Sequence, residues 1–330
     1  MKQSYYLFSS GQLQRKDNSI TVLLEGGRTA DIPVERISDL YAFGEISYNS
    51  ATFAFLGAKG IPVHMFNYYD FYVGSFYPRQ TAVSGQLLVK QVEHYSNPQK
   101  RLIIAREFVS TAADNMYRNL RYYNARGKDL GEQMECIDTR RRDLGRAENV
   151  EELMGYEGLI HQAYYSAFNT IVDKQINFER RVKRPPDNMI NTLISYCNTL
   201  VYTRVLSEIY KTQLDPTISY LHQPSTKRFS LSLDIAEVFK PLIADRMIFS
   251  MLNKNQITED DFDAELGCLR IKEKGVRTIV EEFDKRMKAT VEHKDLNRSV
   301  SYQHLMRLEC YKLIKHLLGE KEYSGFRIWW

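Results

Sequence analysis

The stretch INTLISYCNTLVYTRVLSEI, residues 190–209, carries apolar side chains at Ile190, Leu193, Ile194, Cys197, Leu200, Val201 and Val205. That recurrence follows the 3.6-residue period of a helix with one buried face, not the period of two of a strand. Helix signals of this kind run from about Ala82 to the end of the chain. Asn97-Pro98 sets a capping residue before a proline at the first helical position, which predicts a helix through Leu102, Ala105, Val109 and Met116. Ser299 to Leu318, closed by Gly319, predicts the last long helix, and Thr258-Glu259-Asp260-Asp261 reads as a helix cap.

Upstream the period changes. From Tyr5 to about Pro78, short runs of aromatic and branched residues alternate with turn residues. Tyr5 to Phe8 stops at Ser9-Ser10-Gly11, and Ile20 to Leu24 stops at Gly26-Gly27. Thr29 to Val34, Asp39 to Phe43, Ile61 to Phe66 and Phe71 to Phe76 complete the strand candidates, with one helix near Asn49 to Leu56. The expected fold is α+β: a small, mostly antiparallel β domain over 1–81, a linker or connecting helix over 82–97, and a larger all-α domain over 98–330.

A chain of 330 residues, 43% hydrophobic and 26% charged, is long enough for two cores and has the balance of a globular protein. No stretch approaches the roughly 20 apolar residues that span a bilayer, and the N-terminal run ending at Phe8 is too short for a signal peptide, so a cytoplasmic protein is expected. Cys136, Cys197, Cys268 and Cys310 lack the paired spacing of a zinc or redox motif and read as reduced, structural thiols. A net charge of +4 selects no partner, and the clusters Arg140-Arg141-Arg142, Arg180-Arg181, Lys183-Arg184 and Lys227-Arg228 each read alone as a solvated face.

The helix expected from about Val150 to Asp173 has an apolar stripe at Val150, Leu153, Met154, Ile160, Tyr164, Ala167, Phe168 and Ile171. Glu157 falls on that stripe. An inward carboxylate is costly unless it is paired, hydrogen-bonded or metal-bound. Gly155 and Gly158, each about 1 kcal/mol worse than alanine in a helix, suggest close approach to the backbone there. A buried ion pair with an arginine such as Arg204 accounts for Glu157 equally well.

His222 follows the break at Asp215-Pro216, where a loop can aim a side chain into a cleft. Weighed alone, a structural histidine is the simpler account. Asp234 and Glu237, three apart at the start of an apolar helix, share one face, and alone they read better as a capping pair. Pro241 is expected to bend that helix. Together, one imidazole and two or three carboxylates suit Mn²⁺ or Mg²⁺ better than structural zinc. Such an ion with open positions supports phosphoryl transfer, and Lys227 and Arg228 stand close by to hold backbone phosphates.

The order of these motifs resembles the CRISPR-associated spacer-acquisition integrases, the first-numbered core proteins of the adaptation module. The likeness runs through Tyr6 to Gly11, Phe43 to Glu45, Phe76 to Arg79, Leu153 to Gly158, Tyr220 to His222 and Leu233 to Pro241. It implies that Glu157, His222 and Glu237 bind the divalent ion, with Asp234 as an acidic helper. Some relatives carry Asp where this chain has Glu237. It implies a β domain that pairs two copies into a homodimer, a helical domain that holds the site, and a small second-numbered adaptation protein bridging two dimers. The implied reaction on double-stranded DNA joins the 3′-hydroxyl of a short foreign fragment to a phosphodiester at the repeat edge of the array. The N-terminal motifs are most like those of a type I system. Candidate DNA contacts are Lys227, Arg228, Arg180 and Arg181. The alternatives are a stand-alone metal-dependent nuclease for branched DNA and a non-catalytic DNA-binding scaffold. A non-haem iron oxygenase fits less well, since it needs two histidines and one carboxylate.

Overall fold

The computed structural model describes residues 2–329 except 25–26, 69–70, 81, 175, 177, 183–185, 227–228, 266–267 and 294–295. The chain forms two compact units, 1–81 and 82–330. The first contains β1 (Gln3–Leu7), β2 (Gly11–Lys16), β3 (Ser19–Leu24), β4 (Thr29–Pro33), β5 (Ile37–Ala42), β6 (Ile46–Tyr48), α1 (Ser50–Ala58), β7 (Val63–Phe66) and β8 (Tyr72–Phe76). They make two sheets, ordered β4-β3-β2-β6 and β1-β5-β7-β8. Leu13, Ile20, Val22, Ile37, Leu40, Phe55, Leu56 and Val63 form the core.

The expectation of mostly antiparallel sheets is corrected. Pairs β1–β5, β5–β7 and β2–β6 are parallel, while β2–β3, β3–β4 and β7–β8 are antiparallel. Direction follows the connections: α1 lies between β5 and β7 and returns the chain to the same end, as a parallel crossover must. Side-chain alternation carries no record of that path. It also hid β2, whose sequence Gly-Gln-Leu-Gln-Arg-Lys buries only Leu13.

The second unit contains α2 (Gly85–Ser96), α3 (Pro98–Asn124), α4 (Gly131–Asp143), α5 (Val150–Ser166), α6 (Phe168–Ile171), α7 (Met189–Tyr210), α8 (Ser230–Phe239), α9 (Arg246–Asn253), α10 (Glu273–Lys288) and α11 (Tyr302–Leu317). Asn97 caps α3 as expected, its side chain accepting the Lys100 N–H at 3.0 Å. Helix α7 is buried around most of its circumference, between α8 and α11, while α3 packs on α5 and α8. Among the described residues no helix is long and apolar enough to cross a membrane.

The all-α expectation also needs correction. Hairpins β9 (Phe262–Glu265) with β10 (Cys268–Ile271) and β11 (Thr290–His293) with β12 (Arg298–Ser301) interrupt the helices. Four-residue strands are too short for a period of two to stand out. The Thr258–Asp261 capping box forms as expected, on a single 3₁₀ turn. At Pro241 the helix widens into a π turn over Pro241–Asp245, and the Asp245 N–H reaches back five residues to the Lys240 carbonyl at 3.1 Å. Proline has no N–H to keep the ordinary ladder, so the expected bend takes this form.

Candidate metal centre

Asn149 starts α5 by accepting the Glu152 N–H at 2.9 Å. The helix buries Val150, Leu153, Ile160 and Tyr164, and Glu157 lies at the edge of that face with its side chain 18% exposed. One turn on, at the i+4 position, His161 joins it. The His161 Nε2 lies 3.6 Å from a Glu157 carboxylate oxygen and 3.7 Å from Oε2 of Glu237. Met154, expected on the buried stripe, is 40% exposed. A methyl group at Gly155 or Gly158 would meet nothing within 4 Å, so neither glycine serves internal packing.

The other half comes from α8 and the loop before it. Asp234 sits in the second turn of α8, wholly buried, and caps no end of its own helix. The capping account of Asp234 is thereby overturned. Its carboxylate instead accepts the backbone N–H groups of Tyr220 at 2.6 Å, Leu221 at 3.0 Å and His222 at 3.0 Å. It also bonds the His222 Nδ1 at 2.9 Å. A loop with three otherwise orphaned amides is thus tied to the helix that carries Glu237. One turn beyond Asp234, Glu237 is 5% exposed, with the Lys240 ammonium on its Oε1.

Burial disfavours charge on His161, His222 and Glu237, but attraction to the opposite charges beside them prevails. The imidazoles of His161 and His222 are lowered by burial, yet the carboxylates beside them (Glu157 and Glu237 for the first, Asp234 and Glu237 for the second) leave both net raised. Burial raises Glu237, and Lys240, His161 and His222 reverse this to a net lowering. Asp245, on the π turn, goes the other way, pushed up to about 7 by burial.

Ligand atoms of Glu157, His161 and Glu237 all lie within 4.8 Å of one another. His222 stands beside this group, in electrostatic range of Glu237. The sequence reading missed His161, although the i+4 spacing from Glu157 was its signal. Arg181, one of the candidate DNA contacts, is half-buried. Its guanidinium bonds the side chains of Asn191 at 3.0 Å and Ser195 at 2.8 Å, fastening the start of α7. Arg180 is exposed, while Lys227, Arg228, Lys183 and Arg184 lie outside the described residues.

Two glutamates and two imidazoles converging beside a lysine are compatible with several metal enzymes, and likeness to known proteins narrows the choice. Residues 5–285 match the model of the family described as CRISPR associated protein Cas1. This chain belongs to the Cas1 family. It is 62% identical over all of its length to the CRISPR-associated endonuclease Cas1 of Fusobacterium nucleatum, covering 98% of that protein. A solved Cas1 structure from Thermotoga maritima matches with a TM-score of 0.86 at 42% identity, over 98% of this chain and 100% of that one. A casposase bound to its integration product shares the fold at a TM-score of 0.85 and 20% identity, over 98% of this chain and 92% of that one. The β-rich first unit and mostly helical second unit are therefore those of a Cas1 protein.

Proposed function

We propose that this Cas1 protein is the metal-dependent endonuclease and integrase of CRISPR adaptation, joining the 3′-hydroxyl of a short foreign DNA fragment to a phosphodiester at the repeat edge of the array. The observation that carries the reading is the convergence of Glu157, His161 and Glu237, with His222 alongside on its buried Asp234. The donors fit a hard divalent ion. Oxygen Oε2 of Glu237 is buried with no hydrogen-bond partner among the described residues, an arrangement that a cation satisfies.

Glu157, His222 and Glu237 would hold Mn²⁺ or Mg²⁺, and His161 adds a fourth donor. When bound, the ion supplies Lewis acidity toward a phosphate oxygen and makes a hydroxyl or water a better nucleophile at neutral pH. Asp234 accepts the proton on Nδ1 of His222, which leaves Nε2 with the lone pair that ligates. Lys240, paired with Glu237 in this structure, is placed to move onto a phosphate oxygen or a leaving 3′-oxygen. Water in place of the 3′-hydroxyl gives cleavage at the same centre, so nuclease activity accompanies joining. The first unit pairs two copies into a homodimer, the small second-numbered adaptation protein bridges two dimers, and the complex works on double-stranded DNA in the cytoplasm, in a type I system. Exposed Arg180, with Lys227 and Arg228, contacts backbone phosphates.

The test offers a fragment with free 3′-hydroxyls and a repeat-containing plasmid to the chain with its small partner. Joined product that disappears in Glu157→Ala, His222→Ala and Glu237→Ala is the expected result. Full joining by all three variants would sink the mechanism, cleavage without joining would favour the branched-DNA nuclease, and function persisting in chelator would favour a scaffold.

A further inference from the structure

A cleft of about 680 Å³ lies elsewhere in the helical unit, lined by the end of α3, by α9 and by the end of α10. It shares no residue with the metal centre. Arg126, Arg246, Lys254, Lys285 and Arg286 line it against a single carboxylate, Glu282. That carboxylate is already engaged, with Lys285 at 2.7 Å and the Gln256 amide at 3.3 Å. The remaining cations face one another without a counter-charge in the lining.

Two of them also have unused donors. Arg246 gives its Nε–H to Asn119 Oδ1 at 2.6 Å, but its Nη2 is buried with no hydrogen-bond partner among the described residues. Nε of Arg286 is in the same condition. Burial and the charge of Arg286 both depress Arg246 below its ordinary value. The positions are nonetheless fixed: Arg246 lies 5.9 Å from the Tyr122 ring centroid, Arg126 stacks on that ring at 3.6 Å, and Arg286 lies 5.4 Å over Tyr302. Fixed, mutually repelling guanidiniums with orphaned N–H groups are relieved by a ligand that brings negative charge and only acceptors.

We infer that this cleft is a second anion site, taking a phosphate-bearing ligand of nucleotide size on Arg246 and Arg286, with the exposed Arg126 beside them. Phosphate matches the forked guanidinium donors, and the volume falls within the roughly 300–1,000 Å³ of small-molecule sites, far more than bare phosphate fills. The same chemistry is offered by a free nucleotide and by a nucleotide within a DNA strand.

The test uses the full chain in EDTA, with Glu157→Ala as background so that the metal centre contributes nothing. Inorganic phosphate, dAMP and a short duplex are titrated by calorimetry, with melting followed in parallel. Saturable dAMP binding is expected, weakened about tenfold by Arg286→Gln and about threefold by Arg126→Gln, with unliganded melting unchanged. The exposed Arg126 keeps the test usable should Arg286→Gln fold poorly. Displacement of dAMP by duplex assigns the site to DNA, and its absence assigns it to a free nucleotide. Binding of none of the three probes, or binding indifferent to both substitutions, overturns the inference.

Discussion

Helix α5 presents Glu157 and His161 from the edge of its buried face, with the His161 Nδ1 buried and unpartnered among the described residues. The opposite half is fixed from behind. Asp234 is 0% exposed and makes four hydrogen bonds, three to the backbone of the His222 loop and one to the His222 ring. One half of the centre is thus set by helical spacing alone, the other by a buried carboxylate that chooses the tautomer and aim of its histidine. Glu157 and His161 are steadied by one another and by Glu237 at 3.6 and 3.7 Å, whereas the His222 ring is fixed from behind by a buried carboxylate at 2.9 Å.

The largest effect belongs to the glutamate that each half contributes. Glu157→Ala and Glu237→Ala are each expected to lower strand joining by roughly a thousandfold, the scale of several kcal/mol of lost charge stabilisation. Far-UV dichroism should be unchanged. A loss of less than about tenfold in either would show that the centre does not lie between the two helices.

Next come the substitutions that set the halves against each other. Asp234→Asn should reduce Mn²⁺ affinity by about 10–100-fold, the usual consequence of disturbing a ligand's support. Asp234→Ala adds a stability loss of about 3 kcal/mol, because the Tyr220, Leu221 and His222 N–H groups lose their acceptor. His222→Ala should weaken Mn²⁺ binding about tenfold more than His161→Ala, since only the His222 ring is fixed from behind by a buried carboxylate. Equal losses, read by calorimetry, would break the comparison and make the unbacked imidazole an equal ligand.

How much of this was legible follows from the distance over which each feature acts. Long helices such as α3 and α7 declare themselves by period and cap, and Glu157 shows itself by sitting on an apolar stripe. Strand direction depends on the path between strands, and neither β2 nor the four-residue strands bury enough to leave a pattern. Asp234 is the clearest case of hidden information. Its partners lie 12–14 residues upstream, joined only by the fold, so local spacing suggests a cap. His222 and Glu237 were readable through the order of motifs rather than through any property of their own. His161 was within reach of the i+4 rule, whereas Lys240 and Asp245 gain their meaning from the π turn and what packs around it.

Asp245 gives a prediction in pH. Its carboxyl is pushed up to about 7 by burial, from an ordinary 3.8, so the folded chain holds a proton that the unfolded chain releases. The neutral acid therefore contributes its stability fully below the unfolded value, and that contribution is lost as pH rises through the folded one. Asp245→Asn stays neutral throughout and can still accept from the Tyr164 hydroxyl. In EDTA, denaturant melts should find the variant level with wild type near about pH 4 and more stable near about pH 8. A wild-type stability that is flat over that interval would mean that Asp245 is ionised and held by the cations around it.

The smallest effect returns to α5. Gly155 and Gly158 face open space, yet each weakens the helix by about 1 kcal/mol relative to alanine. Internal packing does not require them, so access to the backbone beside Glu157 is the role to test. Gly158→Ala should raise stability by about 1 kcal/mol and at the same time weaken DNA binding, because the added methyl group stands on the surface across which a strand would pass. A stability gain with unchanged DNA binding would remove the access role and leave the α5 half resting on Glu157 and His161 alone.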